Sequence, residues 1–320
     1  TGLRAPEDVI AEASTRLFVG DTNNHRIMVF NVVSISNGEA AVNVLGQTPF
    51  TAGSAATAQG RLSSPSGVYL QSSLLYAADG GNNRLMVFDV ASITSGEDAV
   101  NLAGQVDGSL SPVYAKGAVN DGPNAQGLAL SGAVSDLAVD PIGHRLFASD
   151  PTNNRVLVFN LDPNNVLLDR LPDAVLGQSG FYSAAAATTQ SQFSSPRGLT
   201  FDPLGNRLFV ADYTNNRVLV FDVAAVTSGE NAVNVLGQTT FTTNTGATTQ
   251  TGLRNPVGLS LDSARGWLFV GDYTNHRVMV FDAAALTNGE NAINVLGQTS
   301  FSAGTGATSQ SRMRNPQGVS

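Results

Sequence analysis

The chain has 320 residues, 42% of them hydrophobic, with 33 glycines and 13 prolines, which suits a large core in a turn-rich fold. Seventeen basic residues, 16 of them arginine, against 25 acidic ones give a net charge of −8, which argues against nucleic acid or an anionic membrane as partner, since both need a basic surface. The absence of cysteine excludes disulfides, thiolate zinc sites and cysteine nucleophiles, and no apolar run approaches the ~20 residues that insert across a bilayer.

Only 13% of the residues are charged and Lys116 is the sole lysine, so Thr, Ser, Asn, Gln and Ala must cover the surface. The chain begins at Thr1 and reads as a processed or excerpted protein. With so little lysine and such neutral loops, the expected location is extracellular or at the cell surface.

In chain order, the first predicted strand is EDVIAE, Glu7 to Glu12, and the first hexapeptide of a recurring Asp-x-x-Asn-(Asn/His)-Arg pattern runs from Asp21 to Arg26. The pattern returns at Asp79 to Arg84, Asp150 to Arg155, Asp212 to Arg217 and Asp272 to Arg277. The fifth copy shows the surrounding order of segments most clearly: NPVGLSLD, GWLFVGD, HRVMVFD and NAINVLGQ. Each is short, rich in Val, Leu, Ile and Phe, and bounded by turn residues, so each reads as a strand, here called positions A to D. Continuous apolar runs such as RLFVAD and RVLVFD predict strands buried on both faces. A four-stranded sheet covered on both faces and repeated is a propeller blade.

The predicted fold is therefore an all-β propeller in a single domain over residues 1–320, with repeats near 1–60, 61–125, 126–190, 191–250 and 251–310 and a partial repeat over 311–320. Five repeats are complete. Met313 to Ser320 (MRNPQGVS) repeats Leu253 to Ser260 (LRNPVGLS) and supplies a sixth strand A without B, C and D. Three solutions stay open: a five-bladed ring, a six-bladed ring completed by residues outside this chain or by a partner, or a terminal strand that displaces or duplicates the first. The last solution makes Asn315, Pro316, Gln317, Gly318, Val319 and Ser320 a candidate assembly strand, because EDVIAE lacks the glycine kept at Gly318.

The third repeat departs from the pattern. Val106 to Ser135 is longer than its equivalents, and LDPNNVLLDRLPD replaces the (Ser/Asn)-Gly-Glu turn found at Gly38, Gly96, Gly229 and Gly289. Irregular loops on a regular scaffold are where binding tends to sit.

Asn24-His25 and Asn275-His276, each after a strand-ending Asp, resemble the hallmark of the NHL repeat, and the other three copies carry Asn-Asn. The resemblance covers essentially the whole chain and implies a β-propeller, usually of six blades. It implies no single activity, because the family includes RNA-binding modules, protein-binding scaffolds and lyases.

The Asp/Arg pairs Asp21/Arg26, Asp79/Arg84, Asp150/Arg155, Asp212/Arg217 and Asp272/Arg277 read as structural, with Arg returning a charge-assisted hydrogen bond to Asp across the B–C turn. Of the three histidines, His25 and His276 belong to B–C turns and His144 to an A–B turn. A five-residue strand separates those turns by roughly 16 Å, so the three cannot share one zinc. Asp140, Asp202 and Asp262, where strand A ends, are the candidate ligands for a divalent cation such as calcium. Asp also opens ordinary turns, and DPIG, DPLG and DSAR suit that role equally.

No nucleophile, metalloprotease, phosphate-loop or EF-hand motif occurs. The reading that follows is a non-enzymatic extracellular binding or structural scaffold without cofactor, its partner protein or matrix, itself included. The alternative is a metal-dependent lyase or hydrolase with its site on the propeller axis.

Overall fold

The computed structural model describes residues 2–118, 123–130 and 135–319. Its strands form five four-stranded antiparallel sheets, each following chain order. Blade 1 comprises β1 (Pro6–Glu12), β2 (Arg16–Asp21), β3 (Arg26–Asn31) and β4 (Asn43–Leu45). Blade 2 comprises β5 (Pro65–Gln71), β6 (Leu74–Asp79), β7 (Arg84–Asp89) and β8 (Asn101–Ala103). Blade 3 comprises β9 (Leu137–Asp140), β10 (Arg145–Asp150), β11 (Arg155–Asn160) and β12 (Ala174–Leu176). Blade 4 comprises β13 (Pro196–Asp202), β14 (Arg207–Asp212), β15 (Arg217–Asp222) and β16 (Asn234–Leu236). Blade 5 comprises β17 (Pro256–Asp262), β18 (Trp267–Asp272), β19 (Arg277–Asp282) and β20 (Asn294–Leu296). This is the β-propeller that the repeats predict. Residues 119–122 and 131–134 of the long third-repeat segment, and Ser320 of the candidate assembly strand, lie outside the described residues.

The chain falls into two compact units, Thr1–Leu146 with Phe159–Asp173, and Phe147–Val158 with Ala174–Ser320. In the first, alternate side chains of blade 1 (Phe18, Ile27, Val29, Leu45) pack into Leu75, Ala77, Met86 and Phe88 of blade 2. In the second, Phe209, Val218, Val220 and Leu236 of blade 4 pack into Leu268, Val270, Met279 and Phe281 of blade 5. The continuous apolar runs are explained by this arrangement: odd and even residues of one strand face two different neighbours, and each buried side chain contributes about 1.5–3 kcal/mol.

Every A strand with a mapped register carries a β-bulge between its proline and the third residue beyond, at Pro6/Val9, Pro65/Val68, Pro196/Leu199 and Pro256/Leu259. At the bulge the next A strand comes so close that a Cβ on Gly198 would run into the Val257 carbonyl, and one on Gly258 into the Gln317 carbonyl. The terminal segment therefore lies on β17 as β17 lies on β13, in the position of a sixth strand A. In blade 1 the glycine's place is taken by Asp8, and in blade 3 by Asp136.

Candidate functional site

Each B strand ends in an Asp with its side chain sealed from solvent, and each C strand begins with a buried Arg. In all five blades Arg Nε donates to Asp Oδ2 at 2.7 Å. The first Asn of the motif donates to the same carboxylate, as from Asn82, Asn153, Asn215 and Asn275 at 2.8–2.9 Å. The other carboxylate oxygen takes the backbone N–H just before strand A: Arg4 to Asp21, Ser63 to Asp79, Ser194 to Asp212 and Arg254 to Asp272. Burial pushes the Asp79 and Asp212 carboxyls up to about 6, with Arg84 and Arg217 pulling them back.

The rest of each guanidinium holds the connectors. Arg217 donates to the carbonyls of Phe241, Thr189 and Gln192, and Arg277 to those of Phe301, Thr249 and Gly252. Five donors in a rigid fork are what such a hub needs, which accounts for arginine in place of lysine here.

The second Asn or His of the motif is the residue that turns left-handed, with φ of +54° at His25, +51° at Asn83, +52° at Asn154, +55° at Asn216 and +53° at His276. Its side chain reaches forward to the next repeat. His25 accepts the Ser64 N–H, Asn83 that of Leu130, Asn154 that of Ser195, Asn216 that of Asn255 and His276 that of Asn315. The glutamine of Leu-Gly-Gln completes the arrangement, its amide bridging the carbonyl of that Asn or His and a connector carbonyl, as in Gln178 to Asn154 and Ala185. The sequence located the Asp/Arg pairs but not these latches. Their signal was there in the spacing of Gln after Asn/His, 22 residues in four repeats and 24 in the third.

The candidate cation ligands sit in three separate turns. Asp140 accepts N–H groups of Ile142 and Gly143 and the Arg145 guanidinium at 2.5 Å. Asp202 pairs with Arg207 and Asp262 with Arg265, each at 2.5 Å. Arg265 and its own backbone hold the Asp262 carboxyl below the usual carboxylate range. Among the described residues, no three His, Asp or Glu side chains gather as a metal site would require. His144 Nδ1 lies 2.9 Å from Asn165 Oδ1 in the irregular loop of blade 3, whose Asn165 carbonyl also accepts the Tyr76 hydroxyl.

Asp8 is the ionisable group that sequence reasoning passed over. Its carboxylate accepts the Val9 and Val68 N–H groups at 2.8 and 2.7 Å, and burial pushes it up to about 6. Among the described residues, two surface clefts stand out. One of about 600 Å³ lies among the A–B turns of blades 4 and 5, lined by Asp202, Leu204, Arg207, Arg265 and Ala284. The other, of about 630 Å³, lies on blade 1 between Leu3, Met28, Phe30, Gly38, Ala41 and Phe50.

Residues 193–221 match the family model of the NHL repeat. Among solved structures, the chain is similar to a functionally unknown protein from Desulfotomaculum acetoxidans, at 14% identity and a TM-score of 0.54 over 93% of this chain and 72% of that one. It is also similar to a chain of a nidogen/laminin complex, at 14% identity and a TM-score of 0.51 over 92% of this chain and 80% of the other. These likenesses are of fold. A search of curated proteins finds no match. Repeated motif, five blades and propeller neighbours together make the chain a β-propeller that carries an NHL repeat at residues 193–221.

Proposed function

We propose that this propeller is a non-enzymatic extracellular scaffold that binds protein or matrix, other copies of itself included. The observation that carries the reading is the use made of its charge. The ten charged residues of the five motifs are buried in ion pairs, and the guanidiniums hold uncharged connectors in place at the surface, as Arg217 does through the Phe241 carbonyl. Such uncharged, Thr- and Ala-rich connectors, held in place, lose little entropy and meet little repulsion where they pack against another protein. The fold neighbour from a nidogen/laminin complex belongs to a two-protein assembly, which agrees with this reading.

Light scattering and negative-stain microscopy on the full chain and on a version ending at Arg314 test it. Assemblies of the full chain that dissolve on truncation are expected. A monomer in both cases, together with stoichiometric binding of calcium by calorimetry that is lost when Asp140, Asp202 and Asp262 become Asn, would move the assignment to the metal-dependent enzyme.

A further inference from the structure

The junctions of blades 1 and 2, 3 and 4, and 4 and 5 repeat one set of contacts. The D strand of one blade is bridged by the (Ser/Asn)-Gly turn of the next: Gly96 N–H donates to the Val44 carbonyl, Gly229 to Val175 and Gly289 to Val235. The connector between two blades runs under the later one. Its glutamine clasps an alanine there, Gln59 to Ala99, Gln190 to Ala232 and Gln250 to Ala292, in both directions of hydrogen bonding. Its carbonyls receive the later blade's Arg Nη2: Ala58 and Arg61 for Arg84, Thr189 and Gln192 for Arg217, Thr249 and Gly252 for Arg277.

Blade 1 carries the later half of this junction with nothing in it. Arg26 Nη2 is buried and has no acceptor among the described residues. Gly38 has the same left-handed backbone as Gly96 and Gly229, φ +78° against +76° and +77°, yet no atom among the described residues lies within 4 Å of where its Cβ would be. Phe30 borders the 630 Å³ cleft and is only half-buried, whereas its equivalents Phe88, Phe221 and Phe281 are fully buried.

Blade 5 carries the earlier half. Leu296 on β20 is 46% exposed, where Leu45, Leu176 and Leu236 are sealed at 0%. The Val295 N–H turns back to its own Asn294, as Leu102 does to Asn101 in blade 2, the blade whose successor lacks the Gly turn. Gln310, the equivalent of Gln250, is exposed. Beyond it Pro316–Val319 lies on β17 in the place of a strand A, and among the described residues no strand B stands beside it.

Building on the self-association reading, we propose that the two halves join between copies: the segment Gly304–Val319 of one molecule completes blade 1 of the next. Its Ser309 and Arg312 carbonyls receive Arg26 Nη2, Gln310 clasps Ala41, and the Asn37–Gly38 turn bridges Val295. Met313–Val319 (MRNPQGV) then pairs with β2 of the acceptor, displacing Leu3–Val9 (LRAPEDV), which occupies the same place in its own blade. The incoming strand has the advantage, because it brings Gly318 where Asp8 buries a carboxylate. The contact is heterologous, so it propagates head to tail.

The absence of native cysteine makes crosslinking decisive. Asn37 and Thr299 are exposed; across the regular junctions the glycine that follows Asn37's equivalent meets Thr299's equivalent, as Gly96 meets Thr48 and Gly289 meets Thr239. Single variants Asn37→Cys and Thr299→Cys, mixed and treated with a short bis-maleimide, are expected to give a band at twice the 33.1-kDa chain mass that neither gives alone. Truncation after Arg312 in the Thr299→Cys partner should abolish it. A double variant that crosslinks only within one chain would overturn the proposal. So would absence of the mixed band, and light scattering separates the cases: assemblies without the crosslink refute this contact alone, whereas a monomer refutes the self-association reading as well.

Discussion

Replacing Arg217 with Met tests whether the buried Asp/Arg motif holds the blades together. The substitution removes a 2.7 Å ion pair to a carboxylate that is wholly buried, together with hydrogen bonds to the Phe241, Thr189 and Gln192 carbonyls. Breaking one side of a buried pair costs about 3–5 kcal/mol, chiefly because the other charge is stranded. The three carbonyls belong to surface connectors and regain water, so they add little to that figure. Asp212 is pushed up to about 6 even with its arginine, and without the cation it takes up a proton near neutrality. The deficit of Arg217→Met should accordingly shrink from pH 8 to pH 5. Urea unfolding followed by fluorescence and circular dichroism measures both effects, with Arg265→Met as control. Arg265 and Asp262 form an exposed pair, so that change should leave stability nearly unchanged. The double variant Asp212→Asn/Arg217→Met should lose less than the sum of its parts. A loss under about 1 kcal/mol for Arg217→Met, unchanged with pH, would refute the argument that the motif is a structural hub.

Asp8 carries the opposite sign of pH dependence to a paired surface carboxylate. Its folded-state value of about 6 lies above the ordinary 3.8, so its contribution to stability is full below pH 4 and is lost as pH rises through 6. Asp8→Asn should raise stability at pH 7 by about 1–2 kcal/mol, allowing for partial exposure, and flatten the profile between pH 4 and 7 in thermal melts. Gly198→Ala places a methyl against the Val257 carbonyl and should cost about 1–3 kcal/mol in denaturant unfolding. His276→Ala removes the acceptor of the Asn315 N–H, and hydrogen exchange should quicken over Asn315–Val319. His276→Asn, which copies Asn216, should restore protection.

The fold was legible because one spacing recurs: an Asp five residues before an Arg, flanked by apolar runs too continuous for a half-exposed sheet. The Asp/Arg pairs could be assigned a role from chemistry alone, since both ends of a tight turn must satisfy charge. The latches could not. Nothing local shows that His25 reaches Ser64 or that Gln178 spans Asn154 and Ala185, because those partners are set by how successive blades stack, a property of the repeat as a whole. Asp8 was noted only as a missing glycine. What a carboxylate costs there depends on the approach of the neighbouring strand A, where Val68 donates to it.

The same logic ties the regular features to the irregular ones. In a repeat fold each unit is stabilised partly by its neighbours, so the end units must be capped, covered or joined. Blade 3 shows one way of meeting the need for a different contact: its loop abandons the Gly turn, and the Asn165 carbonyl takes the Tyr76 hydroxyl instead. Blades 1 and 5 show no such rebuilding. Blade 1 keeps a Gly38 turn of regular geometry and an arginine whose Nη2 is buried without an acceptor, and blade 5 keeps a regular Leu-Gly-Gln strand and a complete connector. A buried guanidinium nitrogen without an acceptor costs about 1–3 kcal/mol, and exposed leucine adds to that. Residues that retain junction geometry at such a cost are explained by a junction, which puts a partner at these two faces, the blade 1 cleft included, before the cleft among the A–B turns of blades 4 and 5.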